Sequence, residues 1–149
     1  MIRAENSVVI DRPLEEVWKF MSDFGNVPKW NTRVLEVRQT PEGPIGMGTN
    51  FQFTTRFLGQ RITDLRITEW EPTRKFAFES TSRVLKGSKA SYAMEPAEGK
   101  TRLTVAGEVE LRGFWRLIEP IMMRMAKRYG RADLATVKHL LEPRTEGSN

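Results

Sequence analysis

The chain has 149 residues, 39% of them hydrophobic and 9% aromatic, which suits a single globular domain with a real core and excludes a disordered chain. Its formal net charge of +5 is moderately basic, but acids recur throughout (Glu15, Glu16, Asp23, Glu36, Asp64, Glu69), so charge alone makes no case for nucleic acid. The absence of cysteine excludes disulfides, thiolate nucleophiles and thiolate metal sites, and no run approaches the roughly 18 apolar residues of a membrane-spanning helix.

The opening residues Met1–Ser7 lack the basic-then-apolar design of a signal peptide, and with no cysteine the expected location is the cytoplasm. Ile2, Ala4, Asn6, Val8 and Ile10 alternate with more polar neighbours, the period of two of a strand with one buried face. Pro13 suits a helix start. Leu14, Val17, Trp18 and Met21 follow at helical spacing, predicting a short amphipathic helix to about Ser22. Phe24-Gly25-Asn26 breaks it, and a second short helical turn runs through Val27–Trp30.

From Thr32 to Arg112 the pattern is that of an antiparallel meander, with strands at Val34–Thr40, Thr49–Phe57, Gln60–Trp70, Lys75–Thr81, Ser88–Glu95 and Thr101–Arg112. Strands that follow one another without intervening helices argue against βαβ units. Gly43, Gly46 and Gly48 lie between two strands and open no helix, so they form a turn and not a phosphate cradle. Phe114, Leu117, Ile118, Ile121, Met122, Met125, Tyr129, Leu134, Val137 and Leu141 then recur at three- and four-residue steps. They predict one helix from about Phe114 to Glu142, roughly 43 Å long, with Gly130 a weak point and Pro120 near a kink. The expected organisation is one domain over residues 1–143 and a frayed tail from 144 to 149. Seven twisted strands curl on themselves, and a terminal helix of this length reaches across most of the concave face, leaving an apolar space between.

Chemistry is sparse. His139 is the lone histidine and has no clustered second ligand, and no nucleophile elbow or dinucleotide loop is present, so neither a metal nor any other cofactor is expected. The fourth strand leaves two alternatives open. If Leu58-Gly59 is a two-residue turn, Phe53 pairs with Asp64 and Phe51 with Arg66. Asp64, Arg66 and Trp70 then share the apolar face, where an Asp–Arg pair can orient a carbonyl or assist proton transfer. A shift of one residue in the turn instead turns Leu65 and Ile67 inward and exposes both charges. Asp64, Arg66 and Tyr92 are thus the candidates for catalysis. Tyr92 and Tyr129 can supply hydroxyls and Asn6 an amide, although half-buried tyrosines serve packing equally well. Candidate ligand-lining residues on the sheet are Phe51, Phe53, Trp70, Phe78, Tyr92 and Val105. Those on the helix are Ile118, Met122, Met125 and Tyr129, with Met122, Met123 and Met125 a soft cluster suited to flexible guests or to an irregular core. The basic face from Arg112 to Arg131 is a solvated face or a point of transient contact with an anionic membrane surface.

Several segments are similar to one known group. Ile10-Asp-Arg-Pro13-Leu-Glu-Glu-Val17-Trp18, Asp23–Trp30, Gly43–Gly48, Thr68-Glu69-Trp70-Glu71-Pro72, Gly99–Leu103 and Asp133–Glu142 resemble the START-related helix-grip superfamily (SRPBCC), in particular its polyketide cyclase/dehydrase-like branch. The resemblance implies an α+β helix-grip fold: a curved antiparallel sheet of about seven strands, two short helices and a long C-terminal helix over an apolar cavity. It implies binding or transport of a hydrophobic small molecule such as a lipid, quinone, polyketide or aromatic metabolite. The alternative it implies is a cofactor-independent cyclase, aromatase or dehydratase. A third function, chaperoning or inhibiting a protein partner, has little support in the residues.

Overall fold

A computed structural model describes residues 2–31, 33–40, 43–56, 60–81, 88–109 and 117–142. The expected turn at Leu58-Gly59, the helix start at Phe114 and the tail 144–149 lie outside these residues. Strand β1 (Ile2–Ile10) is followed by α1 (Leu14–Ser22), a single 3-10 turn (Phe24–Asn26) and α2 (Val27–Trp30). Six strands then follow in succession: β2 (Val34–Thr40), β3 (Asn50–Arg56), β4 (Gln60–Glu71), β5 (Lys75–Ser80), β6 (Lys89–Ala97) and β7 (Lys100–Val109). Helix α3 (Glu119–Leu141) ends the described chain. All pairings are antiparallel, and the strands form one seven-stranded sheet in the order β1-β7-β6-β5-β4-β3-β2. This is the α+β helix-grip arrangement.

Local chemistry accounts for the element ends. Pro13 caps α1 from just outside its first turn, in extended conformation, and two acids follow it in the first turn, where the helix dipole favours them. Asp23 accepts a hydrogen bond from the Gly25 N–H (3.1 Å) and so starts the 3-10 turn. The β6–β7 hairpin closes through Glu98 (φ 53°) and Gly99 (φ 83°), both left-handed, as a two-residue turn matching the strand twist requires.

The β3–β4 register decides the fate of the two charges. Phe51 pairs with Leu65, Gln52 with Asp64, Phe53 with Thr63 and Asn50 with Arg66. Of the two alternatives, the structure therefore takes the shifted one. Ile67 is buried and Leu65 packs on the core, while Asp64 and Arg66 are exposed on the outer face. Arg66 forms a surface ion pair there with Glu79 (3.6 Å). Trp70 nonetheless faces inward, because a bulge between Ile67 and Glu69 inserts one residue and reverses the alternation beyond it. Trp70 then pairs with Phe76 and packs on Trp18, ring centroids 5.1 Å apart.

Helix α3, about 34 Å long at its 23 residues, lies along β1 and touches α2. The long C-terminal helix expected of this fold is thus present, packed on the sheet at β1. The centre of the sheet is covered by α1, the 3-10 turn and α2, while α3 runs beside them. Three contacts set its line on β1. Glu142 accepts from the Asp11 N–H, Lys138 Nζ donates to the Val9 carbonyl (2.7 Å), and Gly130 passes directly over Asn6. Leu134 and Val137 are the buried residues on this side of the helix.

Candidate functional site

The interior is an aromatic cluster built by strand alternation. Phe51 and Phe53 of β3 and Phe76 and Phe78 of β5 project to the same side, and Tyr92 of β6 stacks on Phe76 at 4.9 Å. Phe24, carried by the 3-10 turn, drops into the middle of these rings, 4.5 Å from Phe51 and 5.3 Å from Phe76. Trp30, at the end of α2, meets Tyr92 edge-on at 6.0 Å. Between these groups is a small cleft, with about 10 Å³ of free space. Its sheet side is Phe53, Phe76, Phe78 and Tyr92, and its helical side is Met21, Phe24, Val27 and Trp30. That is room for roughly one water molecule, so the aromatic side chains fill the cleft.

The Trp30 Nε1 donor is fully buried and makes no hydrogen bond among the described residues. A second polar group lies beyond Tyr92, where Asp133 of α3 forms an ion pair with Arg33. Arg33 is held in place by Asn31, whose side-chain oxygen accepts from its backbone N–H (3.0 Å) and its Nε (3.3 Å), and the guanidinium lies 4.3 Å from the centre of the Tyr129 ring. Burial raises the Asp133 carboxyl to a pKa of about 6, against the pull of Arg33's charge and hydrogen bond. The Tyr92 hydroxyl is raised well above its ordinary range by burial and by the Asp133 charge, with Arg33 opposing. Tyr92 therefore stays neutral, a hydrogen-bonding group and not a phenolate.

The residues singled out in sequence fall into three groups. Phe53, Phe78 and Tyr92 line the cavity, and Phe51 is buried beside it against Phe24. Trp70 packs at the Trp18 side, and Val105, cross-strand from Tyr92, is partly buried in the core. Ile118, Met122, Met125 and Tyr129 share one stripe of α3, and all keep some exposure. None of the four contributes to the cavity wall. Asp64 and Arg66 are on the opposite face of the sheet, which removes them as a catalytic pair facing the interior. Among the described residues no group of three His, Cys, Asp or Glu side chains could hold a metal, and His139 is exposed.

Sequence reasoning missed Arg33 and Asp133 as a pair and Trp30 as a polar group. Asp133 did leave a signal: the stripe Ile118, Met122, Met125, Tyr129 continues four residues on to Asp133, an acid on the apolar side of a helix. Arg33 left none, because it comes from a corner whose path depends on the tertiary fold.

The family described as "Polyketide cyclase / dehydrase and lipid transport" matches residues 1–142. The chain belongs to this family. No curated protein matches the sequence. Solved structures give the fold of this polyketide cyclase/dehydrase and lipid transport family member independently. It is similar to the protein TTHA0849 from Thermus thermophilus (14% identity, TM-score 0.77, 97% of this chain and 99% of that one). It is also similar to a START superfamily protein from Mycobacterium smegmatis (14%, 0.76, 94% and 97%). A third similar structure is the ZhuI aromatase/cyclase from Streptomyces sp. R1128 (16%, 0.74, 99% and 97%). At these identities the likeness is one of fold. No described helix is long and apolar enough to cross a membrane.

Proposed function

We propose that this protein binds a hydrophobic small molecule bearing a hydrogen-bond acceptor, in the aromatic cavity between α2 and strands β3, β5 and β6. The observation that carries this reading is the buried, unpartnered indole N–H of Trp30, a residue of the cavity wall. A buried donor without a partner costs roughly 1–3 kcal/mol, and an acceptor on a bound guest would recover part of that. A fused-ring or quinone-like guest would stack on these aromatic walls after displacing side chains that now fill the cleft, and the family's association with polyketides and lipids agrees with such a ligand class. The lack of cysteine supports a cytoplasmic location, and we read residues 1–143 as one domain.

The test is a pair of nearly isosteric probes, 2-acetonaphthone and 2-ethylnaphthalene, titrated against the intact protein by calorimetry. The ketone is expected to bind about fivefold more tightly, the value of one net hydrogen bond near 1 kcal/mol. Trp30→Phe should abolish this preference while leaving the hydrocarbon bound. Failure of both probes to bind would refute the cavity reading, and an unchanged preference in Trp30→Phe would refute the role of the indole.

A cyclase or dehydratase activity is the second reading, and it now rests on Asp133 and not on Asp64. A carboxyl with a pKa near 6, electrostatically linked to the Tyr92 that lines the cavity, has the proton affinity a general base needs near neutral pH. Turnover of a poly-β-ketone substrate that Asp133→Asn abolishes without loss of binding would shift the assignment to an enzyme.

A further inference from the structure

The face of α3 turned away from β1 is segregated along its length. Leu117, two residues before the helix begins, is 81% exposed and Ile121 is 62% exposed. Arg124, Arg128 and Arg131 continue the same stripe at three- and four-residue steps, with Lys127 beside them, and all four are exposed. None of these cations has an ion pair among the described residues. The acids of this segment lie elsewhere: at 100° per residue, Glu119 and Asp133 are turned about 160° from Leu117, and Asp133 is bound to Arg33. The stripe is therefore apolar at one end and carries four unopposed positive charges over the next two to three turns.

From these observations we infer that this stripe docks on an anionic bilayer surface. Leu117 and Ile121 enter the acyl–headgroup boundary, and Arg124, Lys127, Arg128 and Arg131 lie on lipid phosphates. A bilayer has the same sequence of layers, hydrocarbon followed by an anionic shell, and amphipathic helices use that match to hold themselves at the interface. Guanidinium groups take phosphate oxygens in bidentate fashion, and no acid on the stripe repels them. Charge complementarity selects anionic lipid over neutral lipid, and the absence of any acid on the stripe disfavours pairing with a second copy of the same face. This inference stands independently of the cavity reading. It adds a route by which an apolar guest would reach a helix-grip domain without crossing water.

The experiment is flotation of the intact protein with vesicles of phosphatidylcholine alone and of phosphatidylcholine with 30 mol% phosphatidylserine, at low and high salt. Binding to the phosphatidylserine vesicles is expected to exceed binding to the neutral ones by tenfold or more and to fall as salt rises. The double change Arg124→Gln/Arg128→Gln should weaken it about 25-fold, fivefold for each charge. The double change Leu117→Ser/Ile121→Ser should weaken it while keeping the salt dependence. All four positions are exposed, and circular dichroism checks that each variant folds. Equal binding to both vesicle types, or insensitivity to either double change, would overturn the inference. So would concentration-dependent dimerisation that Leu117→Ser/Ile121→Ser abolishes without any vesicle binding, which would assign the face to a second copy.

Discussion

Gly130 offers the sharpest test of how α3 sits on the sheet. Glycine inside a helix costs about 1 kcal/mol relative to alanine, so its presence at the middle of α3 needs a reason. The structure supplies one: a Cβ at position 130 would lie 2.5 Å from Asn6 Nδ2 and 3.5 Å from Asn6 Cγ. For Gly130→Ala the Asn6 amide must therefore retreat by about 1 Å, and overpacking of this kind costs about 1–3 kcal/mol. Because the obstructing atom is the end of a side chain, the lower half of that range applies. The substitution should then be neutral to destabilising by about 1 kcal/mol, with the helix gain consumed by the clash. In an Asn6→Ala background the obstruction is gone, and the same substitution should stabilise by about 1 kcal/mol. The coupling between the two positions is thus about 1–2 kcal/mol, measurable from urea unfolding of the four proteins in the cycle. Additive effects, within about 0.5 kcal/mol, would show that helix and strand do not approach here and would refute the crossing.

Asp133 and Arg66 yield two further expectations. With its carboxyl raised from 3.8 to about 6, Asp133 holds in the folded state a proton that the unfolded chain has already released. Stability should therefore fall as pH rises between about 4 and 6. The side chain keeps some contact with solvent, so the loss is discounted to about 1–2 kcal/mol. Urea unfolding at pH 4, 5 and 6.5 should show this slope in the native protein and a flatter one in Asp133→Asn; parallel slopes would refute it. Arg66→Ala, which removes an exposed ion pair with Glu79, should change stability by less than about 0.5 kcal/mol and leave affinity for the acetonaphthone probe unaltered. A loss of affinity would return Arg66 to the site.

The order of elements was legible because each type writes its own period. Alternation marked β1 and β3, three- and four-residue steps marked α1 and α3, and turn residues separated the strands. Register was a different matter. The face that Asp64 and Arg66 adopt depends on one residue in the turn before them, and the sequence is compatible with either count. Trp70 shows the same limit from the other side: its inward position comes from the bulge after Ile67, which no pattern in the residues announces. The cavity was legible as a set of aromatic rings, but its polar features were not. Phe24 and Trp30 come from short helical turns whose placement over the sheet is a tertiary event, and Arg33 meets Asp133 across 100 residues of chain.

The position of β1 has a consequence for how the chain reaches this structure. Its hydrogen-bonding partner is β7, in a register that joins Ile2 to Val109 and Ile10 to Thr101, and its inner face is covered by α3. The strand partner of β1 and the helix that covers it thus lie roughly a hundred residues further along the chain, whereas each of β2 to β7 pairs with a strand next to it in sequence. The meander can assemble by short loop closures, but β1 must wait for the largest one. During synthesis β1 emerges before β7 and α3, so a strand with open edges persists until the far side of the sheet and α3 exist to receive it.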